Sequence, residues 1–292
     1  MRFLQVNGNI HHKNQNALHR MTNSKQIEYV ISSSRFNEDW DIVFVPDRFI
    51  PKEHFLNAKL IVYGPHLFPF DGEWQCINYL DSNICFNVLS NWNKHVHEEI
   101  CNLQNRIKMV ELPFAVDTEN FKPVENKNIQ YDCFIYFKRR NPAYLNYAKS
   151  VCDTLNLKYT VLTYNHYNEE HYKNVLSQSK FGIWIGTHES QGFALEEALS
   201  SGVPLVVWNV NTLLDEISPD GSIPWAKHKQ HKLNATSVPY WDDRCGIKTN
   251  MDNLMKDVRY MLENYQTYDP RSYILENLTE SVCMQRWIDL VK

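Results

Sequence analysis

The chain has 292 residues, 43% of them hydrophobic and 22% charged, with a formal net charge of −4. That length accommodates two ordinary domains, and the balance of apolar and charged residues excludes a largely disordered chain. The slight acidity argues against a nucleic-acid binder, which needs a basic excess to neutralise phosphates.

Short apolar runs punctuate the first part of the chain: Arg2–Val6, Glu28–Ile31, Asp41–Val45, Lys59–Tyr63, Ile84–Val88 and Ile107–Glu111. They are rich in Val, Ile and Phe and do not alternate with polar residues, the pattern of parallel strands buried on both faces. Stretches such as Asn91–Ile107 are long enough for crossover helices, so a doubly wound α/β domain is expected. The segment from Pro113 to Pro123, followed by the polar Glu125–Gln130, reads as an extended linker, because proline restricts itself and its predecessor. The alternation then restarts, with strands at Tyr131–Phe137, Lys158–Thr163, Phe181–Ile185 and Val203–Trp208. Helices are expected at Ala143–Leu155, Glu169–Ser179 and Ser190–Ser201, then loops across Asn209–Asp243, and two closing helices near Met251–Tyr265 and Ser272–Val291.

The seven cysteines form no CxxC pair, which speaks against a disulfide framework or a zinc site; they are expected as reduced core residues. No apolar run approaches the length of a membrane span, and the opening segment turns polar by Asn7. A cytoplasmic protein without a transmembrane segment is the expectation.

The stretch from Phe181 to Trp208 carries the chemistry. A strand leads into a polar loop, then a helix stopped by Gly202, then another strand. The turn Ser190-Gln191-Gly192-Phe193 falls at the helix start, where unpaired N–H groups and the positive dipole end make an anion site. Gly192 has no side chain to keep a phosphate from the backbone. Glu189 lies in the loop and Glu197 within the helix, where a carboxylate can accept two bonds from a ribose diol; Glu196 points about 100° away and reads as solvated or structural.

Glu189 and Glu197, eight positions apart and followed by Gly202-Val-Pro204, resemble the E-x7-E motif of retaining, family-four-like glycosyltransferases of the GT-B fold. The segment from Pro113 through Val116-Asp117 and Phe121 to Pro123 is similar to the joint between their domains, with Ala115 where glycine is usual. The resemblance implies two Rossmann-like domains facing across a cleft, with the closing helix crossing back to the first. Residues 1–115 plus 272–292 would form the acceptor domain, and residues 124–271 the nucleotide-sugar domain. It implies transfer of a sugar from a nucleoside-diphosphate donor to a carbohydrate acceptor, with retention and without a cofactor or metal.

Residue by residue, the resemblance places Glu189 at the transferred sugar, Glu197 on the ribose, and Ser190, Gln191, Gly192 and Phe193 around the diphosphate. Lys138-Arg139-Arg140 follows a strand, and cations there can neutralise a diphosphate; Lys138 and Arg140 are the candidates. The family brings the loop of Tyr164 to the nucleobase, Gly8 to the diphosphate, and a His in the region of His66 to the donor sugar, where it can orient a hydroxyl or relay a proton. Trp225 and Tyr240-Trp241 either line an acceptor cleft or anchor a loop. Asp39-Trp40-Asp41 superficially matches the D-x-D motif of metal-dependent glycosyltransferases, but reads better as the polar lead-in to a strand. Two other readings keep the same site: a GT-B epimerase or hydrolase acting on the nucleotide-sugar, and a catalytically silent binding protein.

Overall fold

A computed structural model describes residues 1–66, 80–101, 105–125, 128–228 and 234–291, the side chain of Cys101 excepted. Leu67, Phe68 and Cys76 lie outside the described residues. The chain divides into two compact units, Met1–Val116 with Asn277–Lys292, and Asp117–Glu276.

The first unit holds six parallel strands: β1 (Arg2–Val6), β2 (Glu28–Ser32), β3 (Trp40–Val45), β4 (Ala58–Tyr63), β5 (Ile84–Val88) and β6 (Lys108–Glu111). Their order across the sheet is β2-β1-β3-β4-β5-β6, so the chain reverses direction between β1 and β3. The inner strands are buried almost throughout, as their apolar runs require. Strands β2 and β6 sit at the edges and keep exposed positions, so the expectation of burial on both faces fails for these two. Among the described residues of this stretch the strands are accompanied by the α-helices α1 (His12–Ser24) and α2 (Asn91–Cys101). The first was not singled out in the sequence, since Ala17, Leu18 and Met21 are its only buried apolar residues. The second ends six residues before Ile107.

The second unit holds five parallel strands: β7 (Tyr131–Phe137), β8 (Tyr159–Thr163), β9 (Ser179–Ile185), β10 (Leu205–Trp208) and β11 (Gly246–Thr249). Their order is β11-β10-β9-β7-β8, with the reversal between β7 and β9. Strand β11 was missed, being four residues long and opened by a glycine. Asn141 and Asn168 cap α3 (Pro142–Thr154) and α4 (Glu169–Ser177) with side-chain oxygens on free N–H groups. Next comes α5 (Phe193–Ser200), starting three residues later than expected. It ends in a Schellman motif: Gly202 is left-handed (φ 72°), its N–H reaches Leu199 O, and Val203 N–H reaches Ala198 O. The unit closes with α6 (Leu254–Asn264) and α7 (Pro270–Asn277).

The single closing helix expected over Ser272–Val291 is two helices. Thr279 accepts a bond from Val282 N–H and so opens α8 (Glu280–Asp289) as a new helix. In α7, Arg271 Nη1 donates to Ser200 O (2.8 Å) and to Thr118 O and Phe121 O, inside the second unit. In α8, Trp287 is fully buried in the first unit, its ring 5.4 Å from Phe3 and 5.2 Å from Phe44. Arg20 of α1 pairs with Glu280 at 3.0 Å, fixing α8 further. The joint runs without helix or strand to Val116, where Phe114, Ala115 and Val116 are all fully covered, but it then turns, Phe121 N–H reaching Asp117 O at 2.9 Å, so its second half is not the extended linker expected. Cys85, Cys133, Cys152, Cys245 and Cys283 are buried.

Candidate functional site

Ligands of open parallel sheets bind beyond the carboxyl ends of the strands, where the strand order reverses. In the second unit that point lies between β7 and β9. Lys138 is the first residue after β7, and its N–H reaches Ile185 O at the end of β9. Glu189 comes from the loop after β9, its own N–H bonded to Thr236 O. The two side chains meet across the reversal point, Lys138 Nζ 2.7 Å from Glu189 Oε1, and are only 16% and 14% exposed. Tyr164, from the loop after β8, lies with its ring 4.8 Å from the same ammonium group. The structure therefore gathers three sequence candidates, Lys138, Glu189 and Tyr164, into one cluster.

The start of α5 adjoins it. Gly192 is left-handed (φ 98°), and a Cβ there would lie 3.1 Å from Glu189 Cβ. Only glycine lets the turn fold this closely over Glu189. Ser190 is exposed and Phe193 half-buried, while Gln191 is buried. The first N–H groups of α5, from Phe193 onward, have no partner within the helix. Glu197, the fifth residue of α5, is buried. Glu196 is fully buried too, so of the two readings of it, solvated or structural, the structural one applies: Gln191 Nε2 donates to its Oε2 at 3.0 Å. Tyr167, unremarked in the sequence, has its phenol pushed up to about 12, chiefly by burial, with the charges of Glu197 and Glu189 adding to the shift.

Arg140 is placed differently from Lys138. It is 4% exposed and turned inward, donating from Nη1 to Gly186 O (3.0 Å) and Trp208 O (3.3 Å). It ties the ends of β9 and β10 together, and burial holds its pKa below the usual arginine range.

Beside the cluster is a further buried acid that the sequence did not announce. Glu216 accepts from Arg139 Nη1 and from Trp225 Nε1, each at 2.8 Å, and stands 3.6 Å from His188 Nε2. Burial favours its neutral form, but the bonds from Trp225 and Arg139 prevail and hold its pKa below the usual range. Burial likewise keeps His188 neutral. Arg139 and His188 are the chain neighbours of Lys138 and Glu189, so Glu216 braces the two loops that carry the cluster. Trp225 thus serves as part of this brace.

In the first unit the reversal point lies between β1 and β3. Gly8 follows β1, and a Cβ on it would collide with the Asp47 carboxylate from the loop after β3. Asn9 N–H donates to Asp47 Oδ2 at 2.6 Å, and Arg48 grips both oxygens at 2.9 and 3.0 Å. Burial opposes ionisation of Asp47, but these donors hold its pKa below the carboxylate range. His66 lies nearby, Nε2 3.1 Å from Asn14 Nδ2. Burial, with help from His11, lowers its pKa to about 4, against a smaller opposing effect of Asp47. With Asn14 as donor, the ring proton sits on Nδ1.

His11 caps α1, accepting from Lys13 N–H. Asp41 accepts from Arg2 N–H (2.7 Å) and Lys59 (2.7 Å) at the head of β3. Among the described residues no group of three or more His, Cys, Asp or Glu is placed to hold a metal. No helix among them is long and apolar enough to cross a membrane.

No protein-family model matches the chain. No curated protein matches its sequence. Solved structures do match its fold. AviGT4, a glycosyltransferase involved in avilamycin A biosynthesis, aligns at 11% identity over 99% of this chain and 96% of that one, with a TM-score of 0.57. The lipopolysaccharide outer core galactosyltransferase WaaB aligns at 12% identity over 100% and 99%, TM-score 0.57. The N-terminal domain of Candida albicans trehalose-6-phosphate phosphatase aligns at 10% over 99% and 96%, TM-score 0.60. Likeness at such identities speaks for the fold: the chain is built as two Rossmann-like units of the GT-B type found in glycosyltransferases.

Proposed function

We propose that the protein is a glycosyltransferase that moves a sugar from a nucleoside-diphosphate donor to a carbohydrate acceptor, with retention and without a metal. The observation that carries the reading is the meeting of Lys138, Glu189 and Tyr164 at the β7/β9 reversal point, beside the glycine-opened start of α5. In this reading the diphosphate lies against the first N–H groups of α5, over Gly192 and between Ser190 and Phe193, with Lys138 as its cation. Tyr164 offers a ring face to the base, Glu197 takes the ribose and Glu189 the sugar. A departing diphosphate needs mainly electrostatic stabilisation, and a helix end plus an ammonium group supplies it. The first unit would receive the acceptor, with neutral His66 orienting a hydroxyl. Arg140 acts on the site through the strand ends it ties.

The test is a panel of UDP-, GDP- and ADP-sugars, followed by calorimetry and by donor consumption with and without sugar acceptors. At least one donor should bind, and turnover should persist in EDTA. Glu197→Ala should weaken donor binding, and Glu189→Ala should lower turnover more than binding. Absence of binding to every nucleotide-sugar would sink the proposal. Product released from donor alone would favour an epimerase or hydrolase, and binding without any turnover a silent binding protein.

A further inference from the structure

We infer that the Lys138–Glu189 pair discriminates the sugar-loaded donor from the spent nucleotide, Lys138 exchanging Glu189 for the diphosphate when the donor binds. The inference rests on the donor-site reading above and goes beyond it to what the site prefers to hold. The ammonium and carboxylate groups lie 2.7 Å apart with little exposure, so separating them leaves two poorly hydrated charges. The same ammonium lies over Tyr164, so the groups assigned to base, diphosphate and sugar are knit together before any ligand arrives.

A nucleoside diphosphate can draw Lys138 away, since its oxygens are strong acceptors. It offers Glu189 nothing in return, because phosphate oxygens repel a carboxylate. A nucleotide-sugar makes the same exchange but brings hydroxyl donors to Glu189. Glu189 is held to wait for them: its N–H is bonded to Thr236 O, and the Gly192 turn packs over its Cβ. Separating the pair therefore penalises the bare nucleotide more than the complete donor. After transfer, the return of Lys138 to Glu189 favours nucleotide release.

The experiment is calorimetry on the full chain and on Glu189→Gln, Lys138→Met and the double variant. The ligands are UDP, GDP and ADP with their glucose conjugates. Glu189→Gln should bind the nucleoside diphosphate about tenfold tighter, or about 1.4 kcal/mol, and the nucleotide-sugar no tighter. Loss of fold would weaken both ligands together, so a gain confined to the diphosphate identifies the exchange. In the Lys138→Met background, where no pair has to part, Glu189→Gln should bring a clearly smaller gain, from relief of repulsion alone. Glu189→Asp, whose carboxylate is withdrawn by one methylene, should show a smaller gain and guards against misfolding of the Gln variant. If the wild type binds nucleotide and neither Glu189 variant binds the diphosphate tighter, the inference is overturned while the donor site stands. If no nucleotide binds any form, the donor-site reading falls and takes the inference with it.

Discussion

Acidification should destabilise the first unit through His66, and the size of the effect follows from its surroundings. An exposed histidine titrates near 6.5, whereas burial lowers His66 to about 4. Between those values the unfolded chain takes up a proton that the folded chain refuses. Stability contributed by His66 is therefore complete above pH 6.5, falls as the pH drops toward 4, and is flat below. At 1.36 kcal/mol per tenfold change in proton affinity, the full loss is about 3 kcal/mol. His66→Gln removes this titration while keeping a hydrogen-bonding amide toward Asn14. The stability gap between wild type and variant should narrow by about that amount from pH 7 to pH 4, read by urea unfolding. The ring itself can be followed by NMR of its Cε1–H. An inflection near 6.5, or parallel pH dependences of the two proteins, would refute the argument and restore a cation at His66 near neutrality.

Glu216→Ala should cost about 1–2 kcal/mol in urea unfolding, because it removes the acceptor shared by the half-buried Trp225 Nε1 and the more exposed Arg139; Glu216→Gln should cost less. Gly192→Ala places a side chain at φ 98° and should cost about 1–2 kcal/mol while weakening donor binding; unchanged affinity would detach this turn from the diphosphate. Trp287→Ala empties a fully buried ring site between α8 and the sheet and should cost about 3–5 kcal/mol, seen as a lowered unfolding midpoint.

The inner strands were legible because they carry short, largely apolar runs; Ile84–Val88 is covered throughout, with Asn87 its lone polar residue. The edges were less so. Strand β2 matches its expected place yet exposes Glu28 and Ile31, and β11 gave no run at all. At the closing segment, the capping role of Thr279 was the available signal, but continuous helical pattern outweighed it. In the site, Lys138, Tyr164 and Glu189 could be named because each directly follows a recognisable strand or motif. Asp47 and Glu216 could not. They lie in loops without a pattern, and their importance comes from strands that are neighbours only once the sheet order is known. Arg140 shows the converse difficulty: three adjacent cations look alike in sequence, whereas the backbone sends one to Glu189, one to Glu216 and one under the strand ends.

The two units use one strand order, with the reversal after their first two strands, and yet present opposite chemistry there. At β1/β3 the space in front of Gly8 is filled by the Asp47 carboxylate, and the Asn9 N–H is already donated to it. A phosphate approaching that loop would meet a carboxylate held ionised by Arg48, so Asp47 would have to yield before the backbone could bind it. At β7/β9 an ammonium group bridges the gap, and the glycine turn leads directly into a helix start. The difference is not inherited from the shared topology, which only fixes where the loops converge. It comes from what each loop places at the reversal point: a carboxylate, paired with Arg48, against the backbone in the first unit, and a lysine paired with Glu189 in the second. On the proposed reading an anion enters the second unit by taking Lys138 from Glu189, whereas in the first unit it would have to displace a carboxylate already seated on the Asn9 N–H.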